Sequence, residues 1–205
     1  MKFVIVACEA SGDLLGEGLA QELRRRYPDC EIEGIGGARM EAAGVTLWHH
    51  YDVLNVMGLV EVLKHLPRLL RLRREVVDRT VAAAPDAFIG IDGPDFNMGV
   101  EKRVRAKGIR TVHYVSPSIW AWRESRAEKI KACADRVLCL FPMEPPIYAR
   151  YGMPATFIGH PLADTLEESP DMLRARERLH LEPDGLWLAL LPGSRVGEVQ
   201  QLGRI

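Results

Sequence analysis

Between Phe88 and Arg123 the sequence concentrates residue types that do chemistry. It reads Phe88-Ile-Gly-Ile-Asp92-Gly-Pro-Asp95-Phe-Asn97, then a polar helical stretch, then Thr111-Val-His-Tyr-Val-Ser-Pro-Ser-Ile-Trp120-Ala-Trp-Arg123. Each half is a short apolar strand running into polar, aromatic and turn residues. Ligands of open α/β sheets bind outside the carboxyl ends of the strands, so Asp92, Tyr114, Ser116, Trp120 and Arg123 are candidate site residues. Asp92 stands where Gly93-Pro94 forces a turn. A carboxylate there can take a proton from a hydroxyl as a general base, or bond turn N–H groups; position alone leaves the two readings even. Asp95 reads as the cap of a helix beginning near Asn97.

Other segments carry candidate chemistry of their own. Ser11-Gly12-Asp13 occupies the first strand-to-helix turn, where a helix N-terminus favours anionic or hydroxyl-rich ligands; an ordinary cap by Ser11 or Asp13 is the plainer reading. In Pro192-Gly193-Ser194-Arg195 the glycine lets a diphosphate approach the backbone and Arg195 can neutralise leaving-group charge, with a simple left-handed turn as the alternative. Met57-Gly58-Leu-Val-Glu61 opens a long helical pattern, apolar at 59, 62, 63, 66, 69, 70, 76 and 77, with Lys64, Arg68 and Arg71 on the other face. Such a helix can lie on an anionic membrane or shelter acyl chains, or it can simply pack on a core. Gly34-Ile-Gly36-Gly37 is no dinucleotide fingerprint, because it lacks the third glycine and follows the second strand. That counts against a nicotinamide enzyme.

The elements that must position these residues alternate. Strands are expected at Lys2–Ala7, Cys30–Ile35, Thr46–His49, Ala87–Ile91, Thr111–Val115, Arg136–Cys139 and Ala155–Ile158. Helices are expected at Leu14–Arg26, Arg39–Ala43, Leu59–Ala84 (interrupted by Pro67), Met98–Lys107, Arg126–Cys133 and Glu144–Tyr151. This is the pattern of βαβ units, and it predicts an α/β fold: a Rossmann-like, doubly wound parallel sheet. Beyond Gly159-His160-Pro161 a helix Met172–Leu179 with Ser169-Pro170-Asp171 at its start, a strand Leu186–Leu191 and a helix from about Glu198 are expected. One strand with an unfinished helix cannot cover both its faces. The expected division is therefore a domain over 1–165 and, over 166–205, a linker helix with the first strand and turn of a truncated second domain.

Composition narrows the class. The 205 residues are 47% hydrophobic with a net charge of −1, which suits a globular chain and supplies no basic field for nucleic acid. Cys8, Cys30, Cys133 and Cys139 have no metal-finger or C-x-x-C spacing and read as reduced cytoplasmic thiols. The apolar run before Cys8 is about five residues, short of a signal peptide; a first β-strand is read there.

Seven ordered blocks together resemble the lipid A disaccharide synthase family, glycosyltransferases of the two-domain GT-B type. They are Ala10-Ser-Gly-Asp13, Gly34-Ile-Gly-Gly-Ala-Arg-Met40, Met57-Gly-Leu-Val-Glu-Val-Leu63, Ile91-Asp-Gly-Pro-Asp-Phe-Asn97, His113-Tyr-Val-Ser-Pro-Ser-Ile-Trp-Ala-Trp-Arg123, Phe157-Ile-Gly-His-Pro-Leu-Ala-Asp164 and Leu190-Leu-Pro-Gly-Ser-Arg195. Gly93 departs from a commoner alanine, and Cys8 from a common glycine. The resemblance implies that UDP-2,3-diacylglucosamine and 2,3-diacylglucosamine 1-phosphate are joined with inversion into a β-1,6-linked disaccharide 1-phosphate. It implies no metal and no cofactor, the UDP-sugar being a substrate. It also implies peripheral attachment to the inner face of the bacterial cytoplasmic membrane, with a homodimer of the complete protein left open. Carried over to this sequence, Asp92 is the base, Ser11 lines the acceptor site and Arg195 addresses the diphosphate. Asp13, Met57, Gly58, Glu61, Tyr114, Ser116, Trp120, Arg123, Gly193 and Ser194 are the implied substrate contacts. GT-B enzymes hold the sugar nucleotide mostly in the second domain, so this polypeptide alone is expected to be inactive.

Overall fold

The computed structural model describes residues 1–54, 59–121, 124–193, 199, 200, 202 and 203, with 59–65 and 121 as backbone only. Residues 1–161 form one compact unit and 162–205 another. In the first, β1 (Lys2–Ala7), α1 (Ala10–Arg26), β2 (Glu31–Gly36), α2 (Ala38–Ala42) and β3 (Thr46–His50) lead to the long α3 (Leu59–Ala83). Then follow β4 (Ala87–Ile91), α4 (Pro94–Arg105), β5 (Thr111–Tyr114), α5 (Arg126–Lys131), β6 (Arg136–Cys139), α6 (Glu144–Arg150) and β7 (Ala155–Phe157). All neighbouring strands are parallel, in the order β3-β2-β1-β4-β5-β6-β7. The expected doubly wound sheet is observed.

Alternation along the central strand explains the two layers. Phe3, Ile5 and Ala7 join Leu15, Ala20 and Met40 in a core under α1 and α2. Val4 and Val6 point the other way, into a core with Leu72, Val76 and Val77 of α3 and Phe96, Val100 and Val104 of α4. A strand buried on both faces must be apolar, and β1 is so from Phe3 to Ala7. Glycines within β2 and α1 serve this packing. A Cβ at Gly34, whose φ is +148°, would collide with the Ile5 carbonyl, at the point where the β2–β3 register shifts. Gly16 and Gly36 leave room for the Met40 side chain.

Two helices start earlier than the sequence suggests. The helix expected from Leu14 begins at Ala10, so Ser11-Gly12-Asp13 is its first turn and no loop. Likewise α4 begins at Pro94, with Gly93 at the cap position, so Asp95 lies inside the first turn and does not cap it. Proline at the start is favourable because its missing N–H would have no partner there anyway. Pro67 leaves α3 unbroken; it stands on the exposed side of that helix.

In the second unit α7 (Pro161–Thr165) straddles the boundary and α8 (Met172–Arg178) follows. Asp171, not Ser169, caps α8, its carboxylate accepting from Leu173 N at 3.0 Å and Arg174 N at 3.1 Å. Pro170 thus precedes the cap. The strand expected at Leu186–Leu191 pairs with no other strand among the described residues, and Leu186, Leu188, Leu190 and Leu191 are exposed. Apolar sequence supplies a strand's faces, but a ladder needs a neighbour. The helix expected from about Glu198 lies largely outside the described residues.

One buried carboxylate ties α1 to α2. Asp13, 4% exposed, accepts from Gly37 N at 2.6 Å, Met40 N at 3.2 Å and Arg39 N at 3.2 Å. It therefore caps the N-terminus of α2 from a neighbouring helix, where a negative charge is favoured. Asp13→Ala leaves these donors unpaired and is expected to destabilise the first unit by about 2–4 kcal/mol. The urea unfolding midpoint measures it, and a midpoint equal to wild type would refute the cap's contribution.

Candidate active site at the topological switch point

The sheet order reverses between β1 and β4. From β1 the chain proceeds outward through β2 and β3, and from β4 it proceeds the other way. A crevice at the carboxyl ends is the expected ligand site of such a sheet. Cys8, Glu9 and the start of α1 border it on one side, and Asp92, Gly93 and the start of α4 on the other.

Asp92 is partly exposed and holds a left-handed backbone, φ +50°, followed by Gly93 at φ +51°. Non-glycine residues rarely adopt this region, and those that do cluster where the surrounding structure enforces them. Here Asp92 N donates to Tyr114 O at 2.8 Å, and the Asn97 amide donates to Asp92 O at 2.8 Å. Ser11 is exposed in the first turn of α1, and its hydroxyl donates to Glu9 Oε1 at 2.6 Å. Its only proton is thereby used. Toward a ligand, Ser11 in this arrangement is an acceptor.

The other candidates divide by burial. Trp120 is 45% exposed in a short 3₁₀ turn, Ile119–Ala121. Tyr114 is 5% exposed and packs in the α1-side core; burial pushes its phenol up. Ser116, also buried, bonds the Tyr148 hydroxyl at 2.9 Å and the Pro117 carbonyl at 3.0 Å. Asp13 is engaged as the α2 cap. Asp13, Ser116 and Tyr114 read from sequence as substrate contacts; the polar groups of Asp13 and Ser116 are taken up by the fold, and Tyr114 is buried in the core. Gly193 is exposed in the second unit with φ +117°, in keeping with the left-handed turn. Met57, Gly58, Arg123, Ser194 and Arg195, and the side chain of Glu61, lie outside the described residues.

Sequence reasoning passed over several groups. Asn97 and Glu101 face the sheet from α4, fully buried, and Glu101 Oε1 lies 2.7 Å from His113 Nδ1. Glu144 is also buried and accepts from Phe141 N at 3.1 Å. Val115, just past β5, has φ +78°, a rare conformation for a β-branched side chain. For Asn97 and Glu101 the available signal was polar residues four apart on an otherwise apolar helix face.

The family model described as lipid-A-disaccharide synthetase matches residues 3–205. The chain belongs to the lipid-A-disaccharide synthase family. It is 57% identical over 202 residues to the lipid-A-disaccharide synthase of Xanthomonas campestris pv. campestris (strain 8004), covering 98% of this chain and 46% of that protein. The same identity over 202 residues relates it to the synthase of Xylella fastidiosa (strain M12), covering 98% and 52%. The chain thus spans about half the length of the curated relatives it matches. A crystal structure of a putative UDP-N-acetylglucosamine 2-epimerase from Listeria monocytogenes matches with a TM-score of 0.54 at 10% identity, covering 74% of this chain and 42% of that one. That likeness shows the fold alone.

Cys8 and Gly93 are close neighbours at this crevice. A Cβ at Gly93 would run into the Cys8 sulfur, so the larger residue at 8 requires the smaller one at 93. Cys8 is partly buried, and burial first, then the charges of Asp92, Glu9 and Glu101, push its pKa far up. Gly93→Ala adds overpacking to a left-handed alanine and is expected to cost about 2–4 kcal/mol. In a Cys8→Gly background the cost falls to about 1 kcal/mol. Equal costs in both backgrounds, read by chemical denaturation, would disprove the coupling.

The Glu144 carboxyl makes a second test. Burial raises its pKa above 4.5, opposed by the hydrogen bond from Phe141 N. A carboxyl raised in the folded state binds its proton more tightly there than when unfolded. Stability therefore falls as pH rises from the unfolded value through the folded one. Glu144→Gln keeps an acceptor for Phe141 N and is expected to flatten that decline, gaining stability relative to wild type at pH 7 over pH 4. Parallel stability–pH curves would contradict the assignment.

Proposed function

We propose that this chain is the acceptor-binding half of an inverting glycosyltransferase of lipid A biosynthesis. The acceptor is 2,3-diacylglucosamine 1-phosphate and the donor UDP-2,3-diacylglucosamine. The observation that carries the reading is Asp92: a partly exposed carboxylate in a constrained left-handed backbone at the switch point of the sheet. Asp92 accepts the proton of the acceptor 6-hydroxyl, and that oxygen attacks the anomeric carbon while UDP leaves from the opposite face. Inversion gives the β-1,6 link. Ser11 accepts a hydrogen bond from a sugar hydroxyl because Glu9 has taken its own proton. Gly193, Ser194 and Arg195 approach the UDP diphosphate, whose remaining contacts come from a second domain.

Membrane contact is part of the proposal. Leu66 and Leu70 of α3 are exposed at 42% and 39%, beside exposed Arg68 and Arg71. An apolar surface rimmed by cations suits acyl chains at an anionic leaflet, here the inner face of the cytoplasmic membrane. Among the described residues no helix is long and apolar enough to cross a membrane.

The test uses a protein of the relatives' full length carrying this segment, with UDP release as the assay. Asp92→Asn is expected to lower kcat by about 10²–10⁴-fold while binding of the acylated acceptor persists. The 205-residue chain alone is expected to give no turnover. Unchanged kcat in Asp92→Asn discards the base, and equal reaction of unacylated sugars discards the substrate class.

A further inference from the structure

We infer that Asn97 is the positioning residue of this site, a role that rests on the proposed function of Asp92. The carboxamide of Asn97 is fully buried and reaches back from the first turn of α4 toward the sheet. Its Nδ2 donates to Val6 O at 3.2 Å, Ile91 O at 3.2 Å and Asp92 O at 2.8 Å. These carbonyls belong to the end of β1, the end of β4 and the residue just beyond it. One amide therefore ties together the strands that diverge at the switch point and fixes the peptide on the far side of Asp92.

Left to itself, an aspartate at φ +50° would relax to an ordinary extended or helical backbone. The Asp92 peptide is held from both ends: its N–H by Tyr114 O and its carbonyl by Asn97. With both held, the Cα–Cβ bond of Asp92 leaves the backbone in one direction. Only an NH₂ group facing the carbonyls satisfies them, which fixes the amide's orientation. Asn97 Oδ1 then stays buried with no hydrogen-bond partner among the described residues. A side chain kept solely to order the core would be better replaced by an apolar one than left half satisfied. The donor side is what is being used.

The surroundings hold Asn97 in turn. A Cβ at Gly90 would strike Glu101 Oε1 and come within 2.9 Å of Asn97 Cβ, so the glycine opens the space in which both α4 side chains lie. Glu101 fastens the next turn of α4 to His113 of β5. The amide's position is thus set by two strands and its own helix.

The experiment compares Asn97→Asp, which keeps the shape and loses the donor, with Asn97→Ser, which is smaller and keeps a single donor. In the isotope-labelled 205-residue chain, backbone ¹³C shifts of Asp92 and Gly93 report whether the left-handed conformation survives. In a protein of the relatives' full length, kcat and acceptor KM are measured. Expected are loss of the left-handed shifts and a fall in kcat of about 100-fold, with KM within about threefold of wild type. Asn97→Ser should retain more activity than Asn97→Asp. Wild-type Asp92 shifts in a folded variant, or kcat and KM moving together, would overturn the inference. So would loss of the fold in both variants, since Asn97 would then hold the sheet and not Asp92. Shifts that respond as expected in a full-length protein without transferase activity would leave the positioning intact and refute the proposed function instead.

Discussion

Everything at the carboxyl edge of this sheet depends on the pairing of β1 with β4, strands whose chains then part. Register pairs Val6 with Gly90 and Ala7 with Ile91, and past that point the backbone turns to opposite faces. α1 covers one face and α4 the other, as right-handed crossovers require. Where two helices leave in opposite senses, the backbone ends would gape. A tie from Asn97 to carbonyls of both strands closes the floor of that gap, and Gly93, lacking a Cβ, lets Cys8 fill its wall. The crevice that remains is open toward Ser11 and Asp92.

The fold was legible because its signals are local. β1 is apolar from Phe3 to Ala7 and lies inside the sheet; β4 and β6 were bounded correctly because apolar runs there end at Asp92 and near Leu140. What escaped the sequence was long-range. Ser11-Gly12-Asp13 looks like a loop by residue type, yet the Asp13 carboxylate is wanted by N–H groups 24 to 27 residues away. No window around position 13 contains that demand. Asp95 looked like a cap because its type is common there, but Pro94 at the first helical position moved the boundary upstream. Leu186–Leu191 has the pattern of a strand and lacks a neighbour, and pattern cannot report that.

The site was half legible for the same reason. Asp92 could be singled out by its place at a strand end, but its left-handed backbone follows from contacts to Tyr114 and Asn97 and not from its neighbours in sequence. Tyr114 and Ser116 stand at the end of β5 with types that suit a ligand. Whether they face the crevice or the core depends on the strand's phase and on α6, whose Tyr148 takes up Ser116. Polar residues near a strand end thus fall into those that meet solvent, Asp92 and Ser11, and those that hold the end of the strand in place.

Cys8 tests the chemistry assigned to this crevice, because a thiol beside a proposed base is a rival nucleophile. A thiol reacts as thiolate, and nearby cations or an exposed helix N-terminus promote that form. At Cys8 burial first, and then the carboxylates of Asp92, Glu9 and Glu101, oppose ionisation. The carboxylates that add to the effect of burial are themselves hydrogen-bond acceptors, as the proposed hydroxyl-bearing acceptor requires. The crevice thus suppresses attack by the protein's own sulfur.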